Sequence, residues 1–304
     1  MEGAFPPFEV SGAVAARANM EALPGLPGDP VYQVVDRRID GPGGEIPLRV
    51  YRPGPGTRAV IVFFHGGGWA IGNLESHDAL CRSLANATGA VVVAVDYRLA
   101  PEHIFPAAAD DSLAATKWVA EHSDELDVDP GRLAVMGDSA GGNLAAVVSL
   151  MARDSGGPAI AVQVGLYPVT SADLDRQSYV DNGTGYFLTR ATMEYFWDLY
   201  VPDEGDRSNP YAAPLAATDL SGLPPSHIIT AEHDPLRDEG EAYANALREA
   251  GVTSTNTRYG GMFHGFINMA SILPPAAQAL NDVASLLRQV LETEAVEPPE
   301  SQPV

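Results

Sequence analysis

Short apolar runs alternate with longer segments of helical periodicity through most of the chain. The near-continuous apolar runs are typical of strands buried on both faces of a parallel sheet, and they lie at 59–64, 90–95, 132–137, 160–167 and 226–230. Helices are predicted at about 75–88, 106–122, 140–153, 236–250 and 273–292. Residues 46–53 alternate between apolar and polar positions, which indicates an antiparallel strand with one exposed face. The pattern therefore predicts an α/β fold, with a mostly parallel sheet covered by helices on both faces and antiparallel strands added at its edge.

Two regions interrupt this alternation, residues 1–30 and residues 171–224. The second contains the aromatic segment GYFLTRATMEYFWDLYVP, and an insertion of this size is more often a cap over the sheet edge than a loop. The alternative is an ordered excursion with no role in binding. We predict that residues 1–44 and 171–216 form a cap, that residues 45–170 and 217–292 form the α/β domain, and that the acidic, Pro-rich residues 293–304 form a disordered tail.

The 304-residue chain is strongly acidic. It carries 40 Asp and Glu residues against 18 Lys and Arg residues, a formal net charge of −22. This charge repels phosphate backbones and anionic lipid headgroups, so neither nucleic acid nor a membrane surface is an expected partner. Two interpretations of the acidity stay open, solubility and adaptation to high salt.

Composition also bears on location and cofactors. No apolar run approaches about 18 residues, and the stretch MEGAFPPFEV lacks a basic region followed by an apolar one, so a cytoplasmic protein without a membrane span is expected. The single Cys81 cannot form an intramolecular disulfide and is expected to be a packed, inert thiol. Nothing resembles H-E-x-x-H or a cysteine cluster, so no metal site is expected. A homodimer is left open.

The most informative stretch is VMGDSAGGNLAAVVSLMAR, residues 135–153. A buried strand ends at Gly137, a helix begins near Ser139, and Gly137 to Gly141 form the pattern G-x-S-x-G. In a sharp strand-to-helix turn, glycines two residues on either side leave room for close backbone contacts and hold the serine Oγ at the top of the sheet. The alternative, a helix N-cap in an ordinary turn, is less favoured in this context. Ser139 is therefore the candidate nucleophile.

A serine nucleophile requires a base that is itself oriented by a carboxylate. Among the seven histidines, His264 in RYGGMFHGFINM follows a strand-like segment and is flanked by glycines and aromatic residues. Asp234 stands just past a predicted strand end, in the order Ser, Asp, His that this fold class uses. Asp234 is preferred over Asp238, one turn into the next helix, and over Glu232, still at the strand end.

Three consecutive glycines follow the strand at 59–64, in the segment IVFFHGGGWAIGN. Their high entropic cost indicates either a tight turn or a backbone that must approach another group closely.

Taken together, HGGGW (65–69), DYRLAPEHIFPAA (96–108), GDSAGG (137–142), DPLRDEG (234–240) and HGF (264–266) make the chain resemble the bacterial hormone-sensitive-lipase-like esterases. The similarity runs from about residue 45 to 270. It implies an α/β-hydrolase fold with an eight-stranded sheet and a helical cap.

The resemblance also implies roles for individual residues. Ser139 would be the nucleophile, His264 the general base and acid, and Asp234 the orienting carboxylate. The backbone N–H groups of Gly67, Gly68 and Ala140 would form an oxyanion hole, so that the glycine triplet is explained by close approach, with His65 holding the loop. Contacts with substrate are predicted for five residues, with core packing an equal alternative for the four aromatic ones: Trp69, Asp138, Tyr186, Phe187 and Trp197.

We therefore expect a serine carboxylesterase that acts on small esters of short or medium acyl chains and needs no cofactor. A hydrolase of amides or lactones, or an acyltransferase, would use the same triad. A non-catalytic receptor of this fold is less favoured, because such receptors lack the catalytic histidine and His264 is present.

Overall fold

The structure, a computed structural model, describes residues 8–21 and 28–299. Its centre is an eight-stranded sheet with the spatial order β1-β2-β4-β3-β5-β6-β7-β8. The strands are β1 (Gln33–Gly41), β2 (Gly44–Arg52), β3 (Arg58–Phe64), β4 (Val91–Val95), β5 (Val128–Asp138), β6 (Val162–Leu166), β7 (Ser226–His233) and β8 (Ser254–Phe263). β1 and β2 pair antiparallel with their neighbours and all other pairs are parallel, which confirms the predicted mostly parallel sheet.

Helices cover both faces of the sheet in the described part of the chain. They are α1 (Phe8–Ser11), α2 (Ala13–Glu21), α3 (Asp78–Thr88), α4 (Ala107–Glu121), α5 (Ser123–Leu126), α6 (Ala140–Ser155), α7 (Gln177–Asn182), α8 (Arg190–Tyr200), α9 (Arg237–Glu249) and α10 (Pro274–Leu291). Because side chains alternate along a strand, Val62 of β3 packs in the cluster with α4 and α6, whereas Phe63 packs in the cluster with α3 and α10. Strands buried on both faces explain the continuous apolar runs in the sequence.

The two parts of the predicted cap contact each other. The N–H of Ala13 in α2 donates to the Tyr195 hydroxyl of α8 at 2.9 Å, and the rings of Phe8 and Phe196 lie 5.8 Å apart. β1, however, pairs with β2 along its whole length, so its residues belong to the sheet although they fall inside the predicted cap range 1–44. Residues 1–7 and 22–27 of that range lie outside the described residues.

The predicted disordered tail also needs correction. Thr293 Oγ1 donates to the carbonyl of Thr88 at 2.6 Å, and the Val296 N–H donates to the carbonyl of Asn86 at 2.9 Å. These bonds fix the start of the tail against the end of α3, a pairing that an acidic, Pro-rich composition does not reveal. Residues 300–304 of the predicted tail lie outside the described residues.

Candidate active site

Ser139 occupies the sharp turn between β5 and α6. Its backbone has φ +56° and ψ −119°, a region that non-glycine residues rarely adopt and that is strained. A Cβ atom at Gly137 or Gly141 would overlap the carbonyl oxygen of Phe64, because β3 and the start of α6 approach so closely. The glycine spacing therefore has a steric cause, and it leaves the serine side chain at the carboxyl end of the sheet.

Three side chains from three strand ends form one chain of hydrogen bonds. Ser139 Oγ lies 2.9 Å from His264 Nε2, and His264 Nδ1 lies 2.8 Å from Asp234 Oδ2. Because a carboxylate only accepts, Nδ1 carries the imidazole hydrogen and Nε2 is left to accept from the serine hydroxyl. The three residues are 8%, 6% and 0% exposed, respectively, so the chain of hydrogen bonds is shielded from bulk water.

The structure brings Asp234, and neither competing carboxylate, to His264. Asp234 follows β7 directly and His264 follows β8 directly. Asp238 instead pairs with Arg237 at 2.8 Å, and Glu232 accepts from a backbone N–H of β8 at 2.7 Å. Adjacent parallel strands thus place the loop carboxylate and the loop histidine side by side.

The glycine loop after β3 approaches other groups closely, as the sequence pattern indicates. Gly67 and Gly68 have φ values of +123° and +57°. A Cβ at Gly67 would overlap the Ile71 carbonyl, and one at Gly68 would overlap the Phe196 ring of α8. Within residues 8–21 and 28–299, the N–H groups of Gly67, Gly68 and Ala140 donate to no protein acceptor.

His65 holds this loop from behind. Its Nδ1 lies 2.8 Å from the Gly66 carbonyl and therefore donates to it, while the Tyr97 hydroxyl donates to the His65 carbonyl at 2.7 Å. Burial lowers the pKa of His65 to about 4, so the ring is neutral at pH 7. A neutral, hydrogen-bonded ring is suited to a structural role.

Asp138, which was predicted to contact substrate, is surrounded by protein donors instead. It is 3% exposed, and its carboxylate accepts from the Gly66 N–H at 2.8 Å and from Asn268 Nδ2 at 3.2 Å. His77 Nε2 lies 3.1 Å from the same group. Asp138, the residue before Ser139, thus connects protein segments in this structure, and its contact with substrate stays a prediction.

The four aromatic residues predicted near the pocket divide into two pairs. Trp69 and Trp197 have no exposed surface and pack together at 5.0 Å in the core, with Trp69 stacked on Tyr200, which fits the packing alternative. Tyr186 is 39% exposed and stacks on His233, and Phe187 is 61% exposed.

Phe187 is the aromatic residue of the four that reaches the catalytic segment. Its ring lies 3.7 Å from the place a Cβ would take on Gly265, the residue after His264. Phe187 therefore stands at the rim of the site, beside the histidine.

Other residues near the site carry no recognisable signal in the sequence. Tyr167 has a backbone φ of +40°. Its ring packs edge-on against the His264 ring, with the ring centroids 4.8 Å apart. Asn182 at the end of α7 donates to the backbone carbonyls of Glu232 at 3.2 Å and Asp234 at 3.3 Å. The first contact follows from the sharp turn after β6 and the second from the cap folding back onto β7, and local patterns predict neither.

Among the described residues, no three or more His, Cys, Asp or Glu side chains are grouped so that they could hold a metal ion.

The fold and this site define a serine hydrolase of the α/β class, and comparison with known proteins agrees. Residues 61–268 match a family model described as alpha/beta hydrolase fold. The chain is 47% identical to Carboxylic ester hydrolase LipN of Mycobacterium tuberculosis, over 90% of this chain and 76% of that protein. It is 44% identical to Carboxylesterase NlhH of the same organism, over 92% of this chain and 90% of that protein.

Solved structures give the same result. A Pyrobaculum calidifontis esterase superimposes with a TM-score of 0.84 and 45% identity, covering 93% of this chain and 90% of that chain. The chain therefore belongs to the α/β-hydrolase family, in its hormone-sensitive-lipase-like branch of esterases.

Proposed function

We propose that the protein is a serine carboxylesterase that hydrolyses short- to medium-chain carboxylic esters through an acyl-enzyme. The observation that carries the proposal is the continuous chain of hydrogen bonds from Ser139 through His264 to Asp234. A serine alone is a poor nucleophile, and this arrangement supplies the base and the group that orients it.

In the acylation step, Ser139 Oγ attacks the ester carbonyl carbon while His264 Nε2 accepts the hydroxyl proton. The imidazolium that forms is stabilised by the Asp234 carboxylate at Nδ1. His264 then donates its proton to the leaving alkoxide oxygen, the ester C–O bond breaks, and the acyl group remains on Ser139.

In the deacylation step, His264 takes a proton from a water molecule that attacks the acyl carbon. The bond from carbon to Ser139 Oγ breaks, the proton returns to Oγ, and the carboxylic acid leaves. Both steps use the same base in the same position, so no cofactor is needed.

The negative charge that develops on the carbonyl oxygen requires fixed donors. The N–H groups of Gly67, Gly68 and Ala140 have no protein acceptor among the described residues and are available for this role. One such donor contributes about 2.7–4 kcal/mol to barrier lowering in other serine hydrolases.

The preference for small esters is supported by the packing above the glycine loop. Phe196 of α8 is 4% exposed and lies against Gly68, and Phe8 packs behind it. A cap that fills this space leaves little room for a long acyl chain.

The function is tested with p-nitrophenyl esters from acetyl to palmitoyl, with the Ser139→Ala variant as control. We expect turnover highest for short and medium chains and lost in the variant. A wild-type protein that turns over no ester and takes no label from a fluorophosphonate probe would overturn the proposal. Parallel assays with anilides, lactones and an acceptor alcohol test the amide, lactone and acyl-transfer alternatives.

The choice of carboxylate has its own test. Asp234→Asn should lower kcat by about 10⁴, because the amide no longer holds the histidine in the required tautomer. Asp238→Asn, in the same segment but paired with Arg237, is the matched control and should retain activity. If the control loses activity while the first variant keeps it, the orienting carboxylate is not Asp234.

Within the described residues, none of the helices has both the length and the apolar character that crossing a membrane requires. We propose a small ester as the binding partner. The cytoplasmic location and the homodimer remain predictions, which cell fractionation and light scattering test.

A further inference from the structure

A buried polar cluster lies directly behind the glycine loop and takes no part in the proposed chemistry. Its members are Asp138, His77, Asn268 and the N–H of Gly66, and we call it the Asp138 cluster. Asp138 is 3% exposed and His77 is 8% exposed. Asp138 immediately precedes Ser139 and accepts the N–H of Gly66, so its carboxylate contacts the loop that carries two of the proposed oxyanion donors.

Asp138 is ionised despite its burial. Burial disfavours the charged carboxylate, but the adjacent His77 and the donors Asn268 and Gly66 outweigh this and hold the pKa of Asp138 below its ordinary value. An unpaired carboxylate here would oppose the oxyanion, so the state of its partner matters for catalysis.

The hydrogen bonds around His77 place an acceptor opposite each of its ring nitrogens. Ser76 Oγ donates its single hydrogen to the Asn73 carbonyl at 2.8 Å. The 2.9 Å contact with His77 Nδ1 must then be a bond that Nδ1–H donates to Oγ. On the other side, Nε2 faces the acceptor-only carboxylate of Asp138 at 3.1 Å, which also requires an N–H. Both ring nitrogens of His77 therefore face acceptors, an arrangement that a doubly protonated ring fits.

The surroundings of His77 permit this positive charge. The nearest other ring with a titratable nitrogen, His65, lies 5.6 Å away and is neutral at pH 7, because burial lowers its pKa to about 4. His77 is thus the side chain placed to balance the charge of Asp138 in this cluster.

Asp138 connects three segments of the site, two through hydrogen bonds and one through its place in the chain before Ser139. It accepts the N–H of Gly66, the first glycine of the loop that carries Gly67 and Gly68. It also accepts from Asn268, which lies in the short 3₁₀ turn Phe266–Met269 just after the base His264. One carboxylate therefore ties the oxyanion loop and the turn after the base to the residue beside the nucleophile.

On these grounds we propose that His77 is a positioning residue for the oxyanion hole. Its doubly protonated ring neutralises and orients Asp138, which in turn fixes Gly66 and the two N–H donors that follow. The inference rests on the proposed esterase function. It assigns His77 no contact with substrate, so its effect belongs to transition-state stabilisation and not to ester binding.

The first test is kinetic. His77→Gln keeps a hydrogen-bonding side chain but removes the charge. We expect kcat for p-nitrophenyl butyrate to fall at least about tenfold, less than the about 10²–10³-fold loss of a donor itself, with KM changed by less than about twofold. Affinity for a trifluoromethyl ketone, which forms an oxyanion on Ser139, should fall in the same proportion as kcat/KM.

His227→Gln is the matched control, because His227 is 7% exposed but lies near the start of β7, away from the site. Its kcat and inhibitor affinity should stay at wild-type values. A His77→Gln variant with wild-type kcat, or with ketone affinity unchanged while kcat falls, would overturn the proposal.

The second test uses the wild-type protein and does not depend on a variant that folds. Nitrogen-15 NMR of the histidine side chains at pH 7.5 should show two protonated nitrogens for His77. One unprotonated nitrogen would refute the ion pair. Absence of ester turnover by the wild type would instead refute the esterase proposal, so the two failures are distinguishable.

Discussion

At the scale of single residues, Gly68 shows why the glycine loop admits no other residue. Its φ of +57° is unfavourable for a side chain, and a Cβ would also overlap the ring of Phe196. Two constraints therefore act at once, one from the backbone of the loop and one from the neighbouring helix α8. Only the first can be inferred from the sequence.

We predict that Gly68→Val abolishes turnover without unfolding the protein. The side chain strains the loop and displaces its N–H, and loss of one oxyanion donor costs about 10²–10³-fold in kcat. The double variant Gly68→Ala/Phe196→Ala should be more active than Gly68→Ala alone, because the overlap with the ring is removed. It should remain less active than wild type, because the backbone strain persists.

The matched control is Gly251→Ala, which has a φ of +81° and open space around its Cβ position. It should lower the unfolding midpoint slightly and leave kcat unchanged. A fully active Gly68→Val variant would show that this N–H does not contact the oxyanion.

The residues of the candidate triad could be predicted because each stands at a strand end with a recognisable neighbourhood. Ser139 follows Gly137, Asp234 ends a buried run, and His264 follows a strand-like segment. The surroundings of Asp138 and Trp69 could not be predicted, because their partners come from segments distant in the chain. The substrate contacts predicted for both residues stay predictions, because these packing partners leave them untested.

At the scale of elements, α9 links the strand end that carries Asp234 to the start of the cap insertion. Glu239, in the first turn of α9, has no exposed surface, and its Oε1 accepts the N–H groups of Thr170 at 2.7 Å and Ser171 at 3.2 Å. Burial raises the pKa of Glu239 to about 8 despite these two bonds. The junction between sheet and cap therefore depends on a carboxyl group that is protonated at neutral pH.

This group should make stability depend on pH. The pKa of Glu239 in the folded protein, about 8, lies above the ordinary 4.5. The stability that the protonated group contributes to the folded state is therefore complete below pH 4.5 and is lost as the pH rises through 8. Glu239→Gln imitates the protonated form and should reduce the fall in unfolding free energy between pH 5 and 9. The difference from wild type should be on the order of a few kcal/mol at pH 9.

Chemical denaturation at both pH values measures this difference. Glu241→Gln, on the same helix but in an ion pair with Arg258, is the control and should keep the wild-type slope. If wild type and Glu239→Gln lose stability in parallel, Glu239 does not titrate between the two pH values.

Most elements could be predicted because their periodicity is strong. The buried strands and the long helices α3, α4, α6, α9 and α10 lie within a few residues of their predicted positions. β1 fell inside the predicted cap because its residues, QVVDRRIDG, are half polar, and an edge strand paired on one side does not need a continuous apolar run. The ordered start of the tail was missed because backbone bonds to Asn86 and Thr88 hold it, and these leave no trace in composition.

At the scale of the whole molecule, the acidic surplus remains after the ion pairs are formed. Most arginines already lie within 4 Å of a carboxylate, and Arg49 alone contacts Asp36, Glu75 and Asp78. The formal charge is nevertheless −22, so the carboxylates far outnumber the cations that could balance them. Self-repulsion of this kind destabilises the compact state.

We therefore predict that the unfolding midpoint rises when NaCl increases from about 0.02 M to 0.3 M, because the Debye length falls well below the distances between surface charges. Ester turnover should rise or stay constant over this range. Comparison at pH 5, where protonation of exposed carboxylates reduces the surplus, is the internal control and should give a smaller rise. A midpoint indifferent to salt would mean that weakened ion pairs cancel the relieved repulsion, and it would leave solubility as the explanation of the acidity. A rise that continues into molar salt, together with higher turnover, would favour adaptation to a saline environment.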